Sequence, residues 1–83
     1  MIERVGEWSL SPHASKRRRQ RHLSLPEILR IVEAPELTYR TTHFPGCEHR
    51  IRGRWDVVVN PRSMRILTVT KQKRGAVHED LAQ

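Results

Sequence analysis

A single cysteine, Cys47, leaves no disulfide framework and no four-cysteine zinc site to build on. No long apolar run is present, which argues against a transmembrane helix or a signal-peptide core. The default expectation is therefore a cytoplasmic protein with no membrane partner. Internal repeats are absent. Acids are scarce: 9 Asp and Glu stand against 16 Lys and Arg, a net charge of +7 with a pI near 11.1. Such an excess points to a polyanionic partner, nucleic acid first and an anionic membrane or acidic protein second. With 83 residues the chain has room for one modest core.

The lack of acids is most acute between Ser11 and His22, where five cations and two histidines have no local counter-charge. The stretch opens like a helix, with Ser11 able to cap free N–H groups and Pro12 suited to the first turn. Ala14 is its one apolar residue. On a helical wheel His13, Ala14, Arg17 and Arg21 share one arc, while Lys16 and Arg19 point elsewhere. If Ala14 faces the body, His13, Arg17 and Arg21 line its margin, and Lys16 and Arg19 are solvated. The bland alternative is a basic face that does nothing but meet water.

Before this run, residues 1–10 read as an N-terminal arm or short helix with Trp8 packed on the core. After it, Ser24 and Glu27 form a capping box. Leu25, Ile28, Leu29 and Val32 then recur at helical spacing, and Ala34-Pro35 ends the helix. From Glu36 the pattern is that of strands: Glu36–Thr42, Cys47–Arg52, Trp55–Asn60 and Arg65–Thr70. Short connections predict consecutive antiparallel pairing. The fold expected is α+β, two N-terminal helices packed on a twisted four-stranded antiparallel sheet. The domain proper spans 11–71, and 72–83 is a polar tail expected to fray or be disordered.

Strand register decides which face carries the charges of the second strand. A two-residue Gly53-Arg54 loop pairs Arg52 with Trp55 and sets Arg50 and Arg52 on the face of Val57 and Val59. A three-residue loop centred on Gly53 turns them to the open face and His49 inward. The second avoids burying guanidinium groups and is preferred on that ground. Arg40, Arg50, Arg52 and Lys71 then supply charge for phosphate, and a histidine nearby supplies proton transfer near neutral pH. Metal-free RNA cleavage needs that set: a base for the 2′-hydroxyl, an acid for the leaving oxygen and cations for the developing charge. His13 is the leading histidine. His43, Cys47 and His49 lie close in sequence but match no standard zinc spacing, and Cys47 has no evident base to activate it.

The motifs His13-Ala14-x-x-Arg17-x-x-x-Arg21-His22-Leu23-Ser24, Pro26-Glu27, Ala34-Pro35-Glu36, Gly53 to Asn60 and Ile66-Leu67-Thr68-Val69 resemble small RelE-like domains of bacteria and phages. These belong to the barnase–EndoU–colicin–RelE superfamily. The resemblance spans roughly residues 11 to 70 and implies two helices followed by a twisted antiparallel sheet. It also implies a metal-independent, toxin-type endoribonuclease with no cofactor, since many characterised relatives are such enzymes. Carried over by position, the signature residues are His13, Arg17, Arg21, a strand-two arginine placed at Arg50, and Thr68. The catalytic set expected is His13, Arg17, Arg50 and Thr68, and Arg21 joins Arg40, Arg52 and Lys71 of the strand reading in binding RNA. tRNA or ribosome-bound mRNA would be the substrate, and an acidic antitoxin or inhibitor a further partner of a chain that is a monomer when free. His22 departs from the motif, which has glycine there. A non-catalytic nucleic-acid-binding or host-interacting protein is the alternative on the same surface.

Overall fold

The computed structural model describes residues 2–41 and 45–72. Its elements run β1 (Arg4–Val5), β2 (Trp8–Leu10), α1 (Pro12–Gln20), α2 (Leu25–Glu33), β3 (Leu37–Arg40), β4 (Glu48–Arg52), β5 (Trp55–Asn60) and β6 (Arg65–Lys71). The strands form one sheet in the order β1-β2-β6-β5-β4-β3. The expected fold is corrected here: the sheet is six-stranded and mixed, not four-stranded and antiparallel. The last four strands do pair consecutively and antiparallel, but residues 1–10 contribute two more. β1 and β2 form a hairpin, and β2 pairs in parallel with β6, Ser9 beside Arg65 and Leu10 beside Ile66. What reads as an arm is thus part of the sheet, and Trp8 and Leu10 are buried in the core. The expected tail falls almost wholly outside the described residues, as does His43.

Both helices pack on one face. Ala14, Leu23, Ile28, Ile31 and Val32 meet Trp8, Leu10, Val57, Val59, Ile66 and Val69 in a single buried cluster. Burying these aliphatic side chains is the main driving force for the fold. α2 supplies it through its apolar stripe, with the Ser24–Glu27 capping box present at its start.

α1 has almost no apolar surface and is held by polar contacts instead. Ser11 accepts a hydrogen bond from the Ala14 N–H at 3.0 Å and donates its hydroxyl to the Leu67 carbonyl at 2.7 Å. One side chain therefore caps the helix and ties it to β6. Glu3 supplies the missing counter-charge. Arg18 donates to it from Nε at 3.0 Å and from Nη2, and Arg19 lies 3.4 Å away. Arg18 also donates to the Leu23 carbonyl at 3.0 Å. The Arg18 hydrogen bond, then that of Ser15, lowers the Glu3 carboxyl from 4.5 to about 2.

The helix ends in a Schellman arrangement. Leu23 N–H reaches the Arg18 carbonyl and His22 N–H the Arg19 carbonyl, at 2.9 and 3.2 Å. His22 sits there at φ 58°, the left-handed region where glycine is favoured. This is the position at which the RelE-like motif has its glycine, so the departure concerns backbone strain.

Two predictions concern α1. His22→Gly is expected to stabilise the protein by roughly 1 kcal/mol, seen as a higher urea midpoint. Because the folded Glu3 carboxyl titrates below its ordinary value, the stability it confers is present above about pH 4.5 and is lost as pH falls towards 2. Glu3→Gln should therefore flatten the pH dependence of stability across that window and converge on the parent near its acid end. An unchanged slope would show that the pair is not formed.

Candidate functional site

Register fixes the two faces of the sheet. Arg52 pairs with Trp55 and Arg50 with Val57, and Gly53 takes the first place of a two-residue turn at φ 61°. This overturns the preferred three-residue loop: Arg50 and Arg52 lie on the helix-bearing face. Their charge is accommodated because both guanidinium groups find the orphan carbonyls at the end of α2. Arg50 Nη1 donates to Val32 O at 2.8 Å and Arg52 Nη1 to Ala34 O at 2.7 Å. Arg50 is further bound by Glu48, from Nε at 2.8 Å and Nη2 at 2.7 Å, and stands over the Trp8 ring at 5.3 Å. Cations at a helix C-terminus also meet the negative end of its dipole. The structure thus gives both arginines a role in joining α2 to the sheet.

The alternation that turns Arg50 towards the helices turns His49 away from them, onto the far face. There His49 Nδ1 meets the Asp56 carboxylate at 2.8 Å to Oδ1 and 3.0 Å to Oδ2. Tyr39, opposite His49 on β3, stacks on the imidazole with centroids 4.6 Å apart and planes inclined by 11°. The ring is thereby fixed in position and tilt, and its Nε2 is the nitrogen available for chemistry. Both side chains are half-buried, 24% exposed for His49 and 14% for Asp56. Partial desolvation of its hydroxyl end, and then the charge of Asp56, raise the phenol of the otherwise exposed Tyr39 above its ordinary pKa, so it remains a proton donor at neutral pH. The preferred three-residue loop turns His49 inward; the two-residue turn instead brings it to Asp56 and Tyr39, a contact that no local signal in the sequence marks.

Thr68 and Thr70 share this face, opposite Val58 and Asp56 on β5. A bulge beside Val58 and Val59 leaves Leu67 without a partner and returns Ile66 to the core. Beyond it, Arg65 opposite Asn60, Ser9 beside Arg65 and Arg4 opposite Ser9 continue the same face. Arg4 and Arg65 make no ion pair with a described residue. Strands about 4.8 Å apart place Thr68 roughly 10 Å from His49 across β5.

His13 and Arg21 are exposed and Arg17 is half-buried on α1. Thr68 faces away from the helices, since the adjacent Val69 packs beneath them. The expected catalytic set of His13, Arg17, Arg50 and Thr68 is therefore distributed over α1, the α2 junction and the far face. Lys71 falls on the helix-side register opposite Trp55. Arg40 lies with Asn60, Arg62 and Glu48 around a cavity of about 470 Å³ at the end of β3, β4 and β5. Among the described residues no three His, Cys, Asp or Glu side chains converge as metal ligands, and Cys47 is buried. No described helix is long and apolar enough to cross a membrane.

No family model, curated protein or solved structure matches this chain. The resemblance to RelE-like domains therefore rests on the motifs themselves.

Arg50→Ala would leave the Val32 carbonyl and the Glu48 carboxylate without their partner. It is expected to lower stability by about 1.5–3 kcal/mol, read as a shift in urea midpoint. Arg21→Ala, on the exposed end of α1, should leave the midpoint within about 0.5 kcal/mol of the parent.

Proposed function

We propose that the protein is a metal-independent endoribonuclease whose reacting group is His49 on the far face of the sheet. The observation that carries this reading is the His49–Asp56 pair, in which the carboxylate holds Nδ1 and leaves Nε2 to exchange protons. Asp56 fixes the tautomer and offsets the charge that appears when the imidazole takes a proton. In the reaction His49 Nε2 removes the proton of a ribose 2′-hydroxyl. The 2′-oxygen forms a bond to the adjacent phosphorus, the bond to the 5′-oxygen breaks, and that oxygen leaves with a proton from solvent or from the Tyr39 phenol. A 2′,3′-cyclic phosphate and a 5′-hydroxyl result. Thr68 and Thr70 supply hydroxyls along the path of the strand, and Arg65 and Arg4 supply positive charge further along it.

On this reading the first helix binds and does not cut. Arg18 and Arg19 are engaged by Glu3, whereas Lys16, Arg17 and Arg21 form no ion pair with a described residue and remain for the phosphate backbone. That same observation favours the second reading, a nucleic-acid-binding protein without catalysis.

The two readings separate in one experiment with labelled single-stranded RNA and a chelator present. His49→Ala and Asp56→Asn should each reduce cleavage, the former by roughly 10²–10⁴-fold, while RNA binding of His49→Ala stays near the parent and its urea unfolding, though at a lower midpoint, remains cooperative. His13→Ala should cleave at near the parent rate. Loss of cleavage in His13→Ala but not in His49→Ala would move the site to α1. Binding that weakens steeply with salt, with no product at any enzyme concentration, would establish the non-catalytic reading.

A further inference from the structure

β3 is an edge strand, and all four of its residues are exposed. Large exposed apolar side chains among the described residues are Ile2, Leu37 and Tyr39, so two of them lie on this one strand. An edge of this kind, with unpaired ladder groups and apolar side chains, is a template for another strand. Thr41 donates its backbone N–H inward to Cys47 O, and alternation along β3 then turns the N–H and C=O of Thr38 and Arg40 outward, while Glu36, just before the strand, departs from the alternation with its N–H turned inward to Ile51 O at 2.7 Å. Neither proline nor lysine interrupts it.

The strand is complementary to itself. Read in antiparallel register about Thr38, the segment Glu36-Leu37-Thr38-Tyr39-Arg40 sets Leu37 opposite Tyr39, Thr38 opposite Thr38 and Glu36 opposite Arg40. Each of the unlike pairs occurs twice by symmetry. Facing residues share a side of the sheet, so the apolar pairs fall on the far face and the charged pairs on the other. Arg40 makes no ion pair with a described residue, and Glu36 has one oxygen on the Gly53 N–H at 2.8 Å with the other oxygen unassigned to any described hydrogen bond. Shifting the register by one residue would oppose side chains of different faces, and shifting by two would lose the charge match.

We infer that two copies of this chain associate edge to edge through β3, about a two-fold axis passing beside Thr38, into one continuous sheet of two sixfold-stranded halves. The two-fold axis stands across the sheet, so both far faces lie on the same side. Leu37 of one protomer then covers Tyr39 of its partner, and Tyr39 is the residue stacked on His49. The contact is short, well below the area of a standard stable interface, so the dimer is weak and concentration-dependent. This inference does not rest on the nuclease reading.

Sedimentation equilibrium of the full chain from tens of micromolar to about a millimolar tests it. Association in that range is expected. Thr38→Pro removes an outward N–H without touching the ladder to β4, a substitution edge strands tolerate. Arg40→Glu opposes two like-charged pairs. Each should weaken the dimer by about tenfold or more, with the urea midpoint of Arg40→Glu kept near the parent to guard against misfolding. Combining Arg40→Glu with Glu36→Arg should restore association, which identifies the register. A chain that stays monomeric throughout the range, or a dimer insensitive to both single substitutions, would overturn the inference.

Discussion

The contact of Arg50 with the end of α2 sets the character of both sheet faces. A guanidinium placed under a helix would ordinarily be a costly burial, and here it is satisfied by the carbonyls that the helix cannot pair for itself. Arg52 repeats the device one turn of the pleat away. Once these two residues face the helices, strand alternation leaves no choice for their neighbours. His49 and Ile51 must face the other way, which brings His49 to Asp56 and Tyr39. The polar pair on one face is the geometric consequence of the capping arginines on the other.

Charge is divided in the same manner. The run of cations along α1 begins as an apparently uniform basic face, but Glu3 reaches it from the N-terminal hairpin and engages Arg18 and Arg19. With Ser11 at one end and the Arg18–Glu3 contact at the other, a helix that buries little more than Ala14 is nonetheless fixed on β6 and β2. The remaining cations are free of that duty. An excess of +7 is thus distributed between groups that hold elements together and groups that face outward.

Much of the local structure was legible in the sequence because its signals are local. The Ser24 capping box, the α2 stripe and the Trp55–Asn60 strand depend on neighbours within a few positions. The N-terminal hairpin was not legible: its strands are two and three residues long, too short to show alternation, and β2 finds its partner in β6 more than fifty residues later. The face of Arg50 is not legible for a physical reason. Exposed charge is the better assumption for an isolated strand, and the helix end that satisfies the arginine is a tertiary feature. His49 and Asp56 were each visible as titratable groups, but only the two-residue turn at Gly53 and Arg54 brings them diagonally together.

The parallel pairing of β2 with β6 has a consequence for how the chain acquires its structure. Everything from α2 to β5 can form from neighbours already synthesised, whereas α1 rests on a strand made near the end of the described chain. Until β6 exists, Ser11 lacks the Leu67 carbonyl and Ala14 lacks its seat, so the first helix made is among the last to dock. Non-local closure of this kind slows folding. It also means that a nascent chain carries its basic segment loose, and that the cationic surface and the far face take up their relation to each other only when the sixth strand closes the sheet.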